Sequence, residues 1–283
     1  MRHTLFDDAW SVLADAVGHF NADDGWAMAS HVALSALMAV FPFIIFVAAL
    51  AGFIGQEALT DQVANLLFRT WPEEVAGPIT AEVKRVVGQA GSSLLTVSAL
   101  VALFLASNGV EAARTALNRA YRVVEPRSLV LLRGQSLLFV ILSAMVCLLL
   151  ALFGLLASAA FVRIAEVIPW LRPFQTGLTL VGLIGTSIAI IAALVSAHLW
   201  LPAGRPLPGQ LWPGIVLTLA LWLLATWVFA YYLRTFSNMA ATYAGLAGVV
   251  TAIFFLYVIA AVLIFGAEFN AALRRFRDER SNP

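Results

Sequence analysis

Apolar residues in this chain come in long runs, and all but one of the polar interruptions are short. The run "GWAMASHVALSALMAVFPFIIFVAALAGFIG" from residue 25 holds no Asp, Glu, Lys or Arg. A bilayer core of ~30 Å is crossed by about 20 helical residues, so one such run suffices for a span. Six runs reach that length, at about 25–54, 92–122, 129–163, 174–201, 210–234 and 242–273. In hydrocarbon a backbone must satisfy its own polar groups, and runs this long do so as helices. The pattern therefore predicts an all-α polytopic membrane protein with six transmembrane helices, organised as a single membrane domain over 1–283.

Two stretches have a different period. Phe6, Trp10, Leu13 and Val17 recur at helical spacing with Asp7, Asp8 and Asp15 between them. This predicts an N-terminal amphipathic helix lying at a membrane face. Asp23 and Asp24 then stand where a cap of the first span is needed. Residues 55–91 are the long polar interruption. Leu59, Val63, Leu66 and Leu67 give one stripe, and Val75, Ile79, Val83 and Val86 give another behind Pro72. They predict two amphipathic helices in the first external loop. Spans four and five are joined by the tight connection "LPAGRPLPGQLWPG".

Composition confirms the class: 61% of residues are hydrophobic and 12% charged, with a mean hydropathy of +0.91. A soluble domain is closer to half polar. The net charge of +1 is uninformative, but its distribution orients the chain. With the N-terminus in the cytoplasm, eleven Lys and Arg fall on inner segments and six on outer ones. Five of the eleven are Arg114, Arg119, Arg122, Arg127 and Arg133, at and after the end of span two. The bias predicts both termini inside. Cys147 is the single cysteine, in an apolar run, and reads as inert packing. The N-terminal segment is acidic, so no cleaved signal peptide is expected.

The candidate chemistry begins with "SNGVEAARTALNRAY". At 100° per residue Asn108, Glu111, Arg114, Thr115, Asn118, Arg119 and Arg122 fall within about 140° of the helix circumference. Arginines at a helix end commonly snorkel to the interface. A carboxylate on a short stem cannot, so Glu111 at membrane depth needs a partner, with Arg114 and Thr115 in helical reach. The same topology brings His31 of span one and Glu268 and Asn270 of span six to the inner side. His31, Asn108, Glu111, Arg114, Asn118, Glu268 and Asn270 are thus the candidate substrate or proton pathway. A structural reading stands beside it: His31 as a bonded core residue, and Glu268 as the partner of Arg274 or Arg275. Pro42, Gly245 and Gly248 are candidate hinge and packing positions, Pro42 through a kink and the glycines through close helix approach. Ala29 with Ala33, and Ser35 with Ala39, offer a similar surface on span one. No catalytic residue, metal site or cofactor is expected. His3, His19, His31 and His198 lack ligand spacing, and HExxH, P-loop and Gly-x-Ser-x-Gly motifs do not occur.

With these residues in view, the chain resembles the YihY/BrkB family of bacterial inner-membrane proteins, formerly grouped as ribonuclease BN-like. The resemblance rests on "FPFIIF", "ALNRAYRV", "LPAGRPLPG", "YYLRTFSNMAATYAGLAGVVTAIFFLY" and "GAEFNAAL" in that order. The family pattern has Ser where Ala39 stands and Trp where Leu256 stands, so a relative's substrate is not carried over. The resemblance implies a six-helix inner-membrane protein with a role in envelope function or export. The expected function is a non-enzymatic transporter or flippase-like exporter of an amphipathic or anionic, lipid-like envelope molecule, with a cytoplasm-facing polar cavity. The alternative is a membrane scaffold or envelope-integrity subunit; a ribonuclease role is not expected. Membrane lipids, an anionic substrate and a second copy of the chain are the expected partners, and nucleic acid is not.

Overall fold

A computed structural model describes residues 5–53, 92–168, 170, 175–204, 208–240 and 246–281. The two helices expected within 55–91, and Gly245, lie outside the described residues. The described residues form helices α1 Leu5–Ala22, α2 Gly25–Phe53, α3 Ser92–Ala120, α4 Leu129–Val167, α5 Gln175–Trp200, α6 Pro208–Ala240 and α7 Leu246–Ser281. No strand occurs among them. Among the described residues, five helices are long and apolar enough to cross a bilayer, with windows from Ala99–Ala120 in α3 to Val250–Arg280 in α7. In α2 the apolar stretch is the shorter Gly25–Val40, where the run pattern predicts a sixth crossing. Only 6% of the α5 window is buried within the protein. Its apolar surface faces outward, as a lipid-facing helix requires and a soluble fold does not tolerate.

By packing, the chain divides into two compact units. One comprises Ala39–Ser107 and Gly134–Ala193. It buries Phe46 and Val47 of α2, Ala102 and Ala106 of α3, and Val140, Ala144, Leu148 and Ala151 of α4. Pro42 belongs here, and α2 runs on through it. Lacking an N–H, Pro42 cannot bond the carbonyl of Met38 one turn earlier.

The other unit comprises Met1–Met38, Asn108–Arg133 and Leu194–Pro283. Its closest crossing joins α6 to α7. A Cβ on Gly214 would strike the backbone oxygen of Gly266 and the side chain of Asn270. A Cβ on Gly266 would strike the Thr218 hydroxyl and the Gly214 carbonyl. Small residues let the two backbones touch, as in small-xxx-small membrane packing. Gly248 lies in the first turn of α7. Trp222 adds a tie by donating from Nε1 to the Ile259 carbonyl at 3.0 Å.

α1 docks on the far end of α7. Val12, Ala16 and Ala272 are buried together beneath Phe265, Phe269, Leu273 and Phe276. Phe20 continues that face and meets Trp26 and Phe265 edge to face, at 4.9 and 6.0 Å between centroids. Trp10, Leu13 and Val17, from the stripe read in the sequence, stay exposed. The apolar arc of α1 is wider than one stripe, and its Val12–Ala16–Phe20 side meets the protein. Ion pairs flank the contact, Arg280 to Asp8 at 2.7 Å and Arg275 to Asp15 at 3.6 Å. Arg275 also bonds Glu279 one turn on, at 3.2 Å, which supports α7 beyond the expected end at 273. Between α1 and α2, Asp24 has φ 54. Its N–H reaches back to Asn21, and its carbonyl accepts from Met28 at 2.9 Å. One residue closes α1 and opens α2, in a conformation Asp tolerates better than most.

Candidate functional site

The stripe on α3 forms as its spacing predicts, but its partners come from other elements. Glu111 pairs with Arg133 of α4 at 2.8 Å. Arg133 also donates to the Asn108 side-chain oxygen at 2.9 Å. Thr115 bonds the backbone carbonyl of Glu111 at 3.0 Å and leaves its carboxylate to the arginine. Arg114 is buried at 4% exposure and donates to the Leu132 carbonyl at 3.0 Å. A carboxylate gains more from a guanidinium fork presented by the next helix than from a neighbour one turn along its own.

The end of α3 is built around residues 118–123. Arg122 donates its backbone N–H to Arg119 and Val123 donates to Asn118, both at 2.9 Å. This is a Schellman closure, whose left-handed position usually holds glycine. Here Arg122 holds it, with φ 55, at a backbone cost of roughly 1 kcal/mol. Asn118, also buried, uses both ends of its amide. It donates to Glu125 at 2.8 Å and accepts from the Ala203 N–H at 2.8 Å. Glu125 in turn accepts from Arg127 Nε and a terminal nitrogen at 2.6 and 2.7 Å. Arg127 extends to the Leu201 carbonyl at 2.7 Å. The α3–α4 loop and the chain after α5 are thereby tied in one charge-assisted knot.

The Arg127 fork, with the Asn118 amide, holds the Glu125 carboxyl down at about 2 from an ordinary 4.5, against some opposing burial. Its folded-state value lies below its unfolded one. The stabilisation is therefore complete above pH 4.5 and is lost as pH falls toward 2. The thermal midpoint of the wild type is expected to exceed that of Glu125→Gln at pH 6, with the gap closing between pH 4.5 and 2. An equal gap at pH 6 and pH 2.5 would contradict this.

Between α3 and the start of α4 lies a pocket of about 470 Å³. Glu111, Arg114, Asn118, Arg119 and Glu125 form a polar wall, and Val123, Leu129 and Leu132 an apolar one. Arg119 is partly committed to Asp24 at 3.3 Å.

A second cluster lies behind the α3 terminus. Asn270 of α7 accepts from the Gly214 N–H at 2.7 Å and donates to the Leu211 carbonyl at 3.0 Å. It also donates to the Tyr121 hydroxyl at 3.4 Å. Tyr121 and His198 Nδ1 are 2.8 Å apart. The Tyr121 hydroxyl thus stands between the Asn270 amide and the His198 ring. Nε2 is buried without a hydrogen-bond partner among the described residues. Burial pushes the Tyr121 hydroxyl above its ordinary value, so it remains a donor. Glu268, 1% exposed, pairs with Arg122 at 3.4 Å, not with Arg274 or Arg275.

The seven candidate residues thus fall into groups. Asn108, Glu111, Arg114 and Asn118 belong to the α3–α4 cluster, and Glu268 and Asn270 to the second. His31 is exposed on α2 and joins neither. The buried histidine is His198, which ligand spacing alone could not single out. Its only sequence signal is its place one turn before "LPAGRP". Among the described residues no three His, Cys, Asp or Glu side chains group to hold a metal ion.

The model of the family described as Virulence factor BrkB matches residues 16–283, which take in every one of these groups. The chain belongs to the BrkB family. It is also 25% identical over 279 residues to the putative ribonuclease-like protein YfkH of Bacillus subtilis (strain 168), covering 94% of this chain and 96% of that one. No solved structure matches it. The BrkB match thus spans both clusters and the five helices long and apolar enough to cross a bilayer among the described residues.

Proposed function

We propose that this BrkB-family protein moves an amphipathic molecule bearing an anionic group across the inner membrane. The pocket between α3 and α4 is its polar entry, open to the cytoplasm, and both termini are on that side. The observation that carries the reading is the pocket's two-sided lining. Arg114 and Arg119 offer guanidinium donors to an anion, and Leu129 and Leu132 offer apolar contact to a tail in the same pocket. Ionisable groups at membrane depth are costly, and they commonly mark a transport path. The role proposed is non-enzymatic, so the printed name of the Bacillus relative is not extended to this chain.

Thr115 lines the pocket and is exposed, which makes it the natural reporter. In a Cys147→Ser background, Thr115→Cys is expected to react with an impermeant maleimide in inside-out vesicles and not in intact spheroplasts. Dodecyl phosphate is expected to slow that reaction severalfold, and dodecyltrimethylammonium to leave it unchanged. Reaction from the outer face, or equal slowing by both amphiphiles, would sink the assignment.

A further inference from the structure

A second pocket, of about 410 Å³, opens on the other side of the α3 terminus. Arg122, Arg274 and Arg275 line it together with Tyr121, Asp278 and Glu279. We infer that this pocket is a binding site for a phosphate-bearing anion, the head group of an anionic phospholipid, held by Arg122 and Arg274.

Three independent observations lead there. The first is which charges are already spent. Arg275 is committed to Glu279 and Asp15, at 3.2 and 3.6 Å. Arg274 has no ion-pair partner among the described residues, although it is partly buried. Arg122 makes one side-chain contact among them, the 3.4 Å bond to Glu268. A guanidinium has five N–H donors, so most of the fork remains available. Arg122, which keeps donors beyond its pair with Glu268, and Arg274, which has no ion pair among the described residues, match the oxygens of a phosphate better than any neutral ligand.

The second is the backbone of Arg122. A left-handed C′ position favours glycine, and any L side chain there costs stability. The arginine at φ 55 persists in spite of that cost. The same residue lines the pocket. Strain of this kind at a pocket points to a functional side chain. The carbonyl end of a helix would itself repel an anion. Here the Leu117, Asn118 and Arg119 carbonyls are occupied by the N–H groups of Tyr121, Val123 and Arg122. The repulsion is muted, and the arginines dominate.

The third is position. The apolar window of α3 ends at Ala120, one residue before the pocket begins. On α7 the apolar sequence gives way at Arg274, on the same pocket wall. The pocket thus stands at the end of the α3 candidate span and beside the basic stretch that opens at Arg274 on α7, a placement that suits the head-group region. Basic pockets between helices at this depth take anionic lipid head groups. The inference does not rest on the transport proposal, since a non-transporting scaffold would bind the same lipid.

The test is lipid binding to the purified full-length chain in neutral detergent, read by native mass spectrometry. Short-chain phosphatidylglycerol, short-chain phosphatidylcholine and inorganic phosphate serve as probes. One phosphatidylglycerol per chain is expected, retained in preference to phosphatidylcholine. Arg274→Gln is expected to weaken it about tenfold, as loss of a charged contact does. Arg274→Lys recovers part of that loss, and Arg122→Gln with Arg274→Gln loses more. Arg277→Gln removes the same charge three residues further along α7, outside the pocket, and is expected to bind like wild type. Arg274 makes no ion pair among the described residues, so its variants should keep the wild-type thermal midpoint. Inorganic phosphate binding with the same sensitivity, and no preference for the glycerolipid, would keep the phosphate chemistry and assign the free anion. Equal retention of the two lipids, or equal loss in Arg274→Gln and Arg277→Gln, would overturn the site.

Discussion

Gly214→Ala is expected to lower the thermal midpoint of the detergent-purified protein by ~10 °C, the equivalent of about 3 kcal/mol for a chain of this size. A methyl group there has no room. It meets the Gly266 backbone and the Asn270 side chain at once, and a backbone cannot rotate away as a flexible side chain can. Relief requires α6 and α7 to part, which would pull Asn270 off the Gly214 N–H and the Leu211 carbonyl. Packing and polar ties are therefore lost together. Gly266→Ala is expected to behave similarly, with Thr218 in the path. Adding Thr218→Ala should restore part of the loss, because the Thr218 hydroxyl has no hydrogen-bond partner among the described residues to sacrifice. Gly134→Ala in α4 is the control. Nothing lies within 4 Å of its added Cβ. Alanine's helix preference should leave the midpoint unchanged or raised, by up to ~1 kcal/mol. Equal midpoints for Gly214→Ala and wild type would show that the helices do not touch there.

Why was that crossing missed in the sequence, when the helices were not? Long apolar runs report membrane helices because every residue in the run must be compatible with hydrocarbon, so the signal accumulates over 20 positions. α3 and α4 begin where the runs begin, at residues 92 and 129. Close helix approach depends instead on which few glycines meet, and that is decided by the crossing of two helices distant in sequence. Gly214 and Gly266 make this contact, and nothing in their spacing along the chain announces it. The arginine-rich stripe was legible for the same reason as the runs, since α3 is one regular helix. Its pairings were not. Glu111 has Arg114 three residues away, yet the 2.8 Å partner is Arg133, brought in by the return of the chain. Glu268 likewise reaches back 146 residues to Arg122 and passes over the nearer arginines of its own helix. α1 adds a further lesson. Its amphipathic period is visible, but its apolar arc is wide enough for two surfaces, and only packing shows that Val12 and Ala16 meet α7 while Trp10 faces out.

The largest functional effect is expected where the polar wall of the α3–α4 pocket is removed. Arg114 is almost wholly buried yet borders the pocket, so its charge acts in a poorly solvated setting where electrostatic contacts are strong. Alanine there removes the donor that would hold an anionic group. Glu111→Ala frees Arg133 from its carboxylate and changes the sign balance of the same wall. The direct measurement is the rate at which a fluorescent phosphatidylglycerol analogue crosses the bilayer of proteoliposomes holding the full-length protein. Variants are first matched to wild type for thermal midpoint and monodisperse elution. Transport through this pocket predicts movement well above empty liposomes for wild type, and at least about tenfold slower movement for Arg114→Ala and for Glu111→Ala. Wild-type rates in both folded variants, or a wild-type protein no faster than empty liposomes, would contradict it.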